Sequence, residues 1–435
     1  MCSLGPLRGS EVRELAVARD DLSEVDRPGV VIEEQLLHSG QDAPKILLFG
    51  SRGSGKSTEL SRLERRWNTR HLVVGLPVDL NQVRREDLVI EELLALIAMA
   101  LVRAASYTWG LELEAQAKAL ERTMEPLLPR EVAAKLKVSN LLAGLVLFGT
   151  NLSDPTAAVG SAAKDLLDTA KNAVPLDVDV GGWIRRSKTR GPGDEIAGII
   201  GEIAARIATE GRRPLVLLDG LDKIEGDHVD TVFDLLSGHG LLASLPFPII
   251  VTAPVHLAQD YRARPLRNLG YAESYLYDVC IDDPNTPGSP LEEGRDKLRQ
   301  ALDRRLEAAA KNSETRVDDL LEPDAKEHLI ATGGGSIRDT IQLLQTAALR
   351  AGFSNVPRIG PTQASEAVQR LRRSFEVGLT DSRREILRSV ATSGALPDHE
   401  QCFTLLDRGL IRVYAHGGQL TYRPHSVLTE VLGGR

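Results

Sequence analysis

Short apolar runs alternate with amphipathic stretches along most of the chain. Residues 45–49, 71–79, 214–219, 247–252 and 274–279 are brief, apolar or β-branched runs, the pattern of buried strands. Between them lie helical periodicities. Leu60, Leu63 and Trp67 form one stripe at spacings of three and four within 57–67. Leu93, Leu94, Ile97 and Leu101 form another within 86–105, and 194–210 is a third helix. Five such strands separated by helices predict an α/β fold with a parallel sheet covered on both faces.

The pattern changes elsewhere. Residues 26–29 read as a turn, and 30–37 fit either a helix or a strand. Residues 111–190 hold helical pieces at 111–120 and 130–137, then a stretch rich in Gly, Ala and Ser, and match no motif. A proline-rich segment, 284–290, marks a boundary. Residues 291–351 read as helical throughout. In the last segment, helices at 366–375, 381–390 and 400–408 precede 410–414 and 420–423, two strands around Gly417-Gly418 that predict a hairpin. The expected organisation is an N-terminal linker region (1–44), a core (45–283) with a helical insertion at about 111–190, a helical region (291–360) and a C-terminal domain (363–435).

Composition narrows the function. A chain of 435 residues, 42% hydrophobic and 26% charged, suits two or three domains with real cores. Only 4% of residues are aromatic, which argues against reading single strands by base stacking, and a net charge of −8 argues against coating nucleic acid by bulk charge. Cys2, Cys280 and Cys402 are too scattered for a disulfide framework or a zinc site, so free thiols in a reducing compartment are expected. No secretory signal is visible. The longest apolar run, 141–148, falls short of the ~20 residues that span a bilayer. A cytoplasmic location is the expectation.

The chemistry centres on Gly50-Ser51-Arg52-Gly53-Ser54-Gly55-Lys56-Ser57, a full match to G-x-x-x-x-G-K-[ST] between a strand and a helix. The glycines let the backbone N–H groups turn toward phosphates. The helix start at Lys56 adds its positive dipole end. Lys56 is expected to reach the β- and γ-phosphates and the Ser57 hydroxyl to ligate Mg²⁺. The metal also needs a carboxylate at the end of a buried strand. Asp219, following Leu215-Val216-Leu217-Leu218, supplies it, and Asp222 is placed to activate the attacking water.

With Thr58-Glu59-Leu60 after the loop and Asp219-Gly220-Leu221-Asp222 on the acidic strand, the chain resembles the signal-transduction ATPases with numerous domains (STAND), in their NACHT branch, within the AAA+ superfamily. It is similar in layout to the origin-initiator ATPases. The resemblance implies a P-loop NTPase sheet core, a helical lid over 291–360 and a C-terminal winged helix over 363–435. It implies ATP as ligand, held by Gly50, Ser51, Arg52, Gly53, Ser54, Gly55, Lys56, Ser57 and Thr58, with Mg²⁺ on Ser57 and Asp219. It implies that Thr252 senses the γ-phosphate and that Arg338, at a helix start, is a lid sensor. It places an arginine finger among Arg262, Arg264 and Arg267, of which Arg267 is the candidate, acting across a homo-oligomer interface.

Two departures matter. Many AAA+ ATPases carry a catalytic Glu directly after the metal Asp, where this chain has Gly220, and Lys223 stands where NACHT proteins carry another acid. Slow hydrolysis is therefore the expectation, with ATP acting as a switch that regulates a separately encoded partner or effector, in bacterial defence or stress signalling. The alternatives are a DNA-binding initiator for replication or transposition, and a non-hydrolysing scaffold. Residues 363–435 hold ten Arg, no Lys and eight acids, a net of +2 that is modest for a DNA reader. Arg408, Arg412, Arg423 and His425 are candidates for DNA phosphate contacts, but solvated strand arginines are the favoured reading. His416 and His425 lack partners at metal-ligand spacing.

Overall fold

A computed structural model describes residues 28–38, 43–77, 89–124, 192–224, 229–259, 264–283, 289–310, 319–416 and 419–433. The helix expected at 130–137, the apolar run 141–148, Arg262 and the Gly417-Gly418 turn lie outside the described residues. The chain divides into two compact units. A sheet unit comprises Val31–Leu48 and Leu60–Ser274, and a C-terminal unit is built from Phe49–Glu59 and the residues from Tyr275 onward.

In the sheet unit, helix α1 (Pro28–His38) precedes β1 (Lys45–Phe49), and the segment left open between helix and strand is helical. There follow α2 (Lys56–Trp67), β2 (His71–Pro77), α3 (Ile90–Trp109), α4 (Glu114–Met124), α5 (Gly193–Ala208), β3 (Arg213–Asp219), α6 (Val229–Ser237), α7 (Leu241–Ser244), β4 (Ile249–Thr252), α8 (Arg264–Asn268) and β5 (Tyr271–Tyr275). The strand order is β2-β3-β4-β1-β5. β1 pairs with β4 in parallel from Lys45↔Ile249 to Leu48↔Thr252, and β3 pairs in parallel with both β2 and β4. Every residue of β1 is buried, as a strand covered on both faces requires. One layer over the sheet comes from α3 and α5, whose Leu93, Leu94, Ile97, Leu101, Ile196 and Ile200 are fully enclosed. The α/β fold with a parallel sheet expected from the strand pattern is the fold observed.

The C-terminal unit continues with α9 (Glu292–Ala310), α10 (Pro323–Gly333), α11 (Ile337–Phe353), α12 (Pro361–Glu376), α13 (Asp381–Ser393), α14 (Gln401–Asp407), β6 (Ile411–His416) and β7 (Gln419–Pro424). Among the described residues, the stretch 291–351 holds three helices. Pro323 opens α10, and Ser336 caps α11 by accepting from the Asp339 amide at 3.3 Å. β6 and β7 form an antiparallel hairpin from Ile411↔Pro424 to His416↔Gln419, with α13 packed on β7 and α14 on β6.

One strand differs from its expected place. β5 ends at Tyr275 instead of running over 274–279. Beyond it the chain keeps one bond to β1, through Leu276, and then turns to other partners. Leu276 N–H donates to Phe49 O (2.8 Å), Asp278 N–H to Val413 O (3.1 Å) and Val279 N–H to Gly335 O (3.0 Å). Its apolar alternation reflects burial in the C-terminal unit, not sheet pairing. Among the described residues, no helix is long and apolar enough to cross a membrane.

Candidate nucleotide-binding site

The phosphate loop belongs to the C-terminal unit. It follows the apolar β1 directly and ends where α2 begins at Lys56. Gly53 sits at φ +91°, in the left-handed region, and a Cβ there would lie 2.9 Å from both Arg338 Cβ and Ser336 Oγ. Only glycine meets both demands. The Ser54 amide closes a turn onto Ser51 O (3.1 Å). Lys56 is buried, and its ammonium donates to Gly50 O (2.6 Å) and Ser51 O (3.0 Å), so its stem folds back along the loop. Ser57 and Thr58 follow in the first turn of α2, both half-buried.

The loop fits a phosphate chain. Ser51 Oγ is buried with no hydrogen-bond partner among the described residues, a cost that a ligand oxygen relieves. The helix start and the ammonium add positive potential. Among the described residues no group of three or more His, Cys, Asp or Glu could hold a metal by itself.

Within the sheet unit, the structure gathers Asp219, Asp222 and Thr252. Thr252 is fully buried at the end of β4. Its Oγ1 accepts from the Gly220 amide (2.9 Å), donates to Asp222 Oδ1 (3.1 Å) and lies 3.4 Å from Asp219 Oδ1. Both carboxylates are half-buried. The parallel register that brings β3 beside β4 is what puts the three together. Gly220 takes φ +119° as the chain turns into the short 3-10 turn Leu221–Lys223. A side chain in that slot would be strained, so the glycine found in place of a Glu is built into the turn.

Of the other predicted residues, Arg338 lies against the loop, its amide donating to Gly53 O at 3.4 Å. Arg267, on α8, is exposed and makes a bidentate pair with Glu273 (2.6 and 2.9 Å). It is not among the groups bonded to Thr252.

The C-terminal unit also holds a group the sequence did not reveal. Arg412 is 1% exposed, not solvated as expected, because both faces of β6 are covered. Its Nη1 donates to Arg52 O (2.9 Å) and to Asp278 Oδ1 (3.4 Å), and its Nη2 to Asp339 Oδ2. His425 is fully buried as well. Its Nδ1 accepts from the Val427 amide (3.1 Å), so Nε2 carries the proton and donates to Asp339 Oδ2 (3.1 Å). Burial pushes the Asp339 carboxyl up. The Arg412 charge and the His425 hydrogen bond outweigh it and hold the group well below the usual carboxylate range. Burial, then the Arg412 charge, lower His425 and keep it neutral. The available signal was the apolar run around Arg412: Leu410, Ile411, Val413 and Tyr414 occupy both parities of the strand, which marks two covered faces.

No protein-family model and no curated protein matches the chain. Solved structures to which it is similar include the Aeropyrum pernix ORC2 protein in ADPNP–ADP complexes, at 13% identity over 99% of this chain and 98% of that one, with a TM-score of 0.42. Cdc6p from Pyrobaculum aerophilum matches at 11% identity over 99% of both chains, with a TM-score of 0.40. The Thermotoga maritima RuvB Holliday junction branch migration motor does so at 11% identity over 99% of both chains, with a TM-score of 0.39.

Proposed function

We propose that the chain is an ATP-binding, slowly hydrolysing switch of AAA+/STAND type that regulates a separately encoded partner. The observation that carries this reading is the glycine loop closed by Lys56, with its buried, partnerless Ser51 hydroxyl. The loop and the α2 start bind the triphosphate. Ser57 and Asp219 hold Mg²⁺, which when bound supplies Lewis acidity at the transferring phosphoryl. Asp222, oriented by Thr252, positions the attacking water. Low turnover follows from Gly220, whose positive φ leaves no carboxylate at the position after the metal Asp. In this reading α9–α11 form the lid, and α12–α14 with the β6–β7 hairpin form a winged helix. Arg267 serves a neighbouring copy once its pair with Glu273 opens.

Phosphate release tests the reading. Wild type releases phosphate with Mg²⁺. Lys56→Ala weakens ATP binding by about 100-fold, as loss of a buried charged contact does. Asp219→Asn keeps binding and loses about 100-fold in hydrolysis. Wild-type release no greater than that of these variants, with and without cell extract as a source of partner, ends the enzyme claim. Size analysis with and without a non-hydrolysable ATP analogue reads the assembly.

A DNA-binding initiator is the second reading. The exposed Arg370, Arg373, Arg388 and Arg408 of the C-terminal helices favour it. Salt-dependent duplex affinity in the ATP state supports it, and no affinity at low salt removes it.

A further inference from the structure

We propose that Arg412 is a positioning residue for the phosphate loop, so that the C-terminal hairpin sets triphosphate affinity without touching the nucleotide. The inference rests on the nucleotide-binding reading above and adds to it a residue that lies 360 positions from its loop contact.

The argument starts from the peptide plane. In a trans peptide the C=O and the following N–H point in opposite directions. Arg412 Nη1 holds the Arg52 carbonyl at 2.9 Å, on the side of the hairpin. The Gly53 N–H is thereby turned the other way. A peptide preceding a glycine is the easiest to flip, because glycine populates both signs of φ. Gly53, at φ +91°, is such a residue. Without an outside anchor, that peptide spends time with its carbonyl, not its N–H, toward an incoming anion. Arg412 removes that choice before the ligand arrives.

The anchor itself is locked. Asp339 and Asp278 take the guanidinium from two further chain segments, and His425, in its fixed tautomer, holds Asp339. Tyr414, two residues along the strand, donates from Oη to Gly334 O at 2.6 Å, and Asp278 N–H donates to Val413 O. Asp278 Oδ2 and Arg412 Nε have no partners among the described residues. An unsatisfied buried carboxylate oxygen and guanidinium N–H are costly, and a cluster that tolerates them serves more than stability.

The test uses the full chain and two probes, a non-hydrolysable ATP analogue and inorganic tripolyphosphate, each measured by calorimetry. Arg412→Lys keeps the charge, but a single ammonium cannot span Arg52 O, Asp278 and Asp339 together. One oriented N–H is worth about tenfold, so both probes weaken by about the same tenfold factor. In turnover, KM for ATP rises by about tenfold and kcat stays within about twofold, the signature of lost uniform binding. Should Arg412→Lys fail to fold, the neutral triple variant Arg412→Met/Asp278→Asn/Asp339→Asn takes its place, with the same loss expected. The proposal is overturned if a folded variant binds both probes like wild type, or if ATP weakens and tripolyphosphate does not. It is equally overturned if neither variant folds, which makes the cluster a folding element only. Wild type that binds neither probe, or Lys56→Ala that binds both like wild type, refutes the nucleotide reading instead.

Discussion

Each unit of this protein gathers two carboxylates around one hydrogen-bonding hub. In the C-terminal unit the hub is a guanidinium, and Asp278 and Asp339 are almost wholly enclosed with it. In the sheet unit the hub is the Thr252 hydroxyl, and Asp219 and Asp222 are only half-buried. The difference is one of obligation. A carboxylate with no access to water needs a permanent cation inside the fold. Half-buried carboxylates keep part of their hydration and carry no such requirement. The first arrangement fixes geometry, and the second leaves its carboxylates in partial contact with solvent.

Stability measurements sharpen the contrast. The largest effect is expected from Asp339→Asn, which removes one partner of the buried pair. Denaturant unfolding should show a loss of about 3–5 kcal/mol. Asp219→Asn, the matching change in the sheet unit, should stay within about 0.5 kcal/mol. Equal losses would erase the distinction. Gly220→Ala comes next, at about 1–2 kcal/mol, from forcing a side chain to φ +119°. A Gly220→Ala chain as stable as wild type would mean the turn does not require its glycine.

Acid gives a graded effect. His425 is held below its ordinary value by burial and by Arg412, and it faces Asp339, Arg412, Asp278 and the Phe375 ring. Below about pH 6.5 the unfolded chain binds a proton that the folded chain refuses. Stability therefore falls as pH drops through that value, by up to about 1.4 kcal/mol per pH unit. Asp339, held low in the fold, adds a second loss with the same sign below about pH 4. In the sheet unit His71 is lowered by burial, Arg213 and Arg70, and gives a further slope of that sign. His425→Gln should flatten the first step, and an unchanged slope would assign it to His71.

The two sets of acids also differ in how legible they were. Asp219 was readable because four apolar residues precede it, and Thr252 because it ends another such run. Local periodicity carries that information. The hairpin was readable in outline, and Arg412 within it was not. Its neighbours on both parities are apolar, yet an arginine in a terminal hairpin ordinarily faces water. The fifth strand was misplaced for a related reason. Alternation marks an extended, buried chain, and it is silent on whether the amides pair with a strand or with a loop and a hairpin.

By itself the sequence determined the alternation of strands and helices, the glycine loop with its lysine, and the acid that ends β3, because each is written in residues adjacent along the chain. The tertiary structure alone decided that Arg412 meets Asp278, Asp339 and the Arg52 carbonyl on β6. Those groups come from four distant segments, and a charge loses its water only when all of them have closed around it.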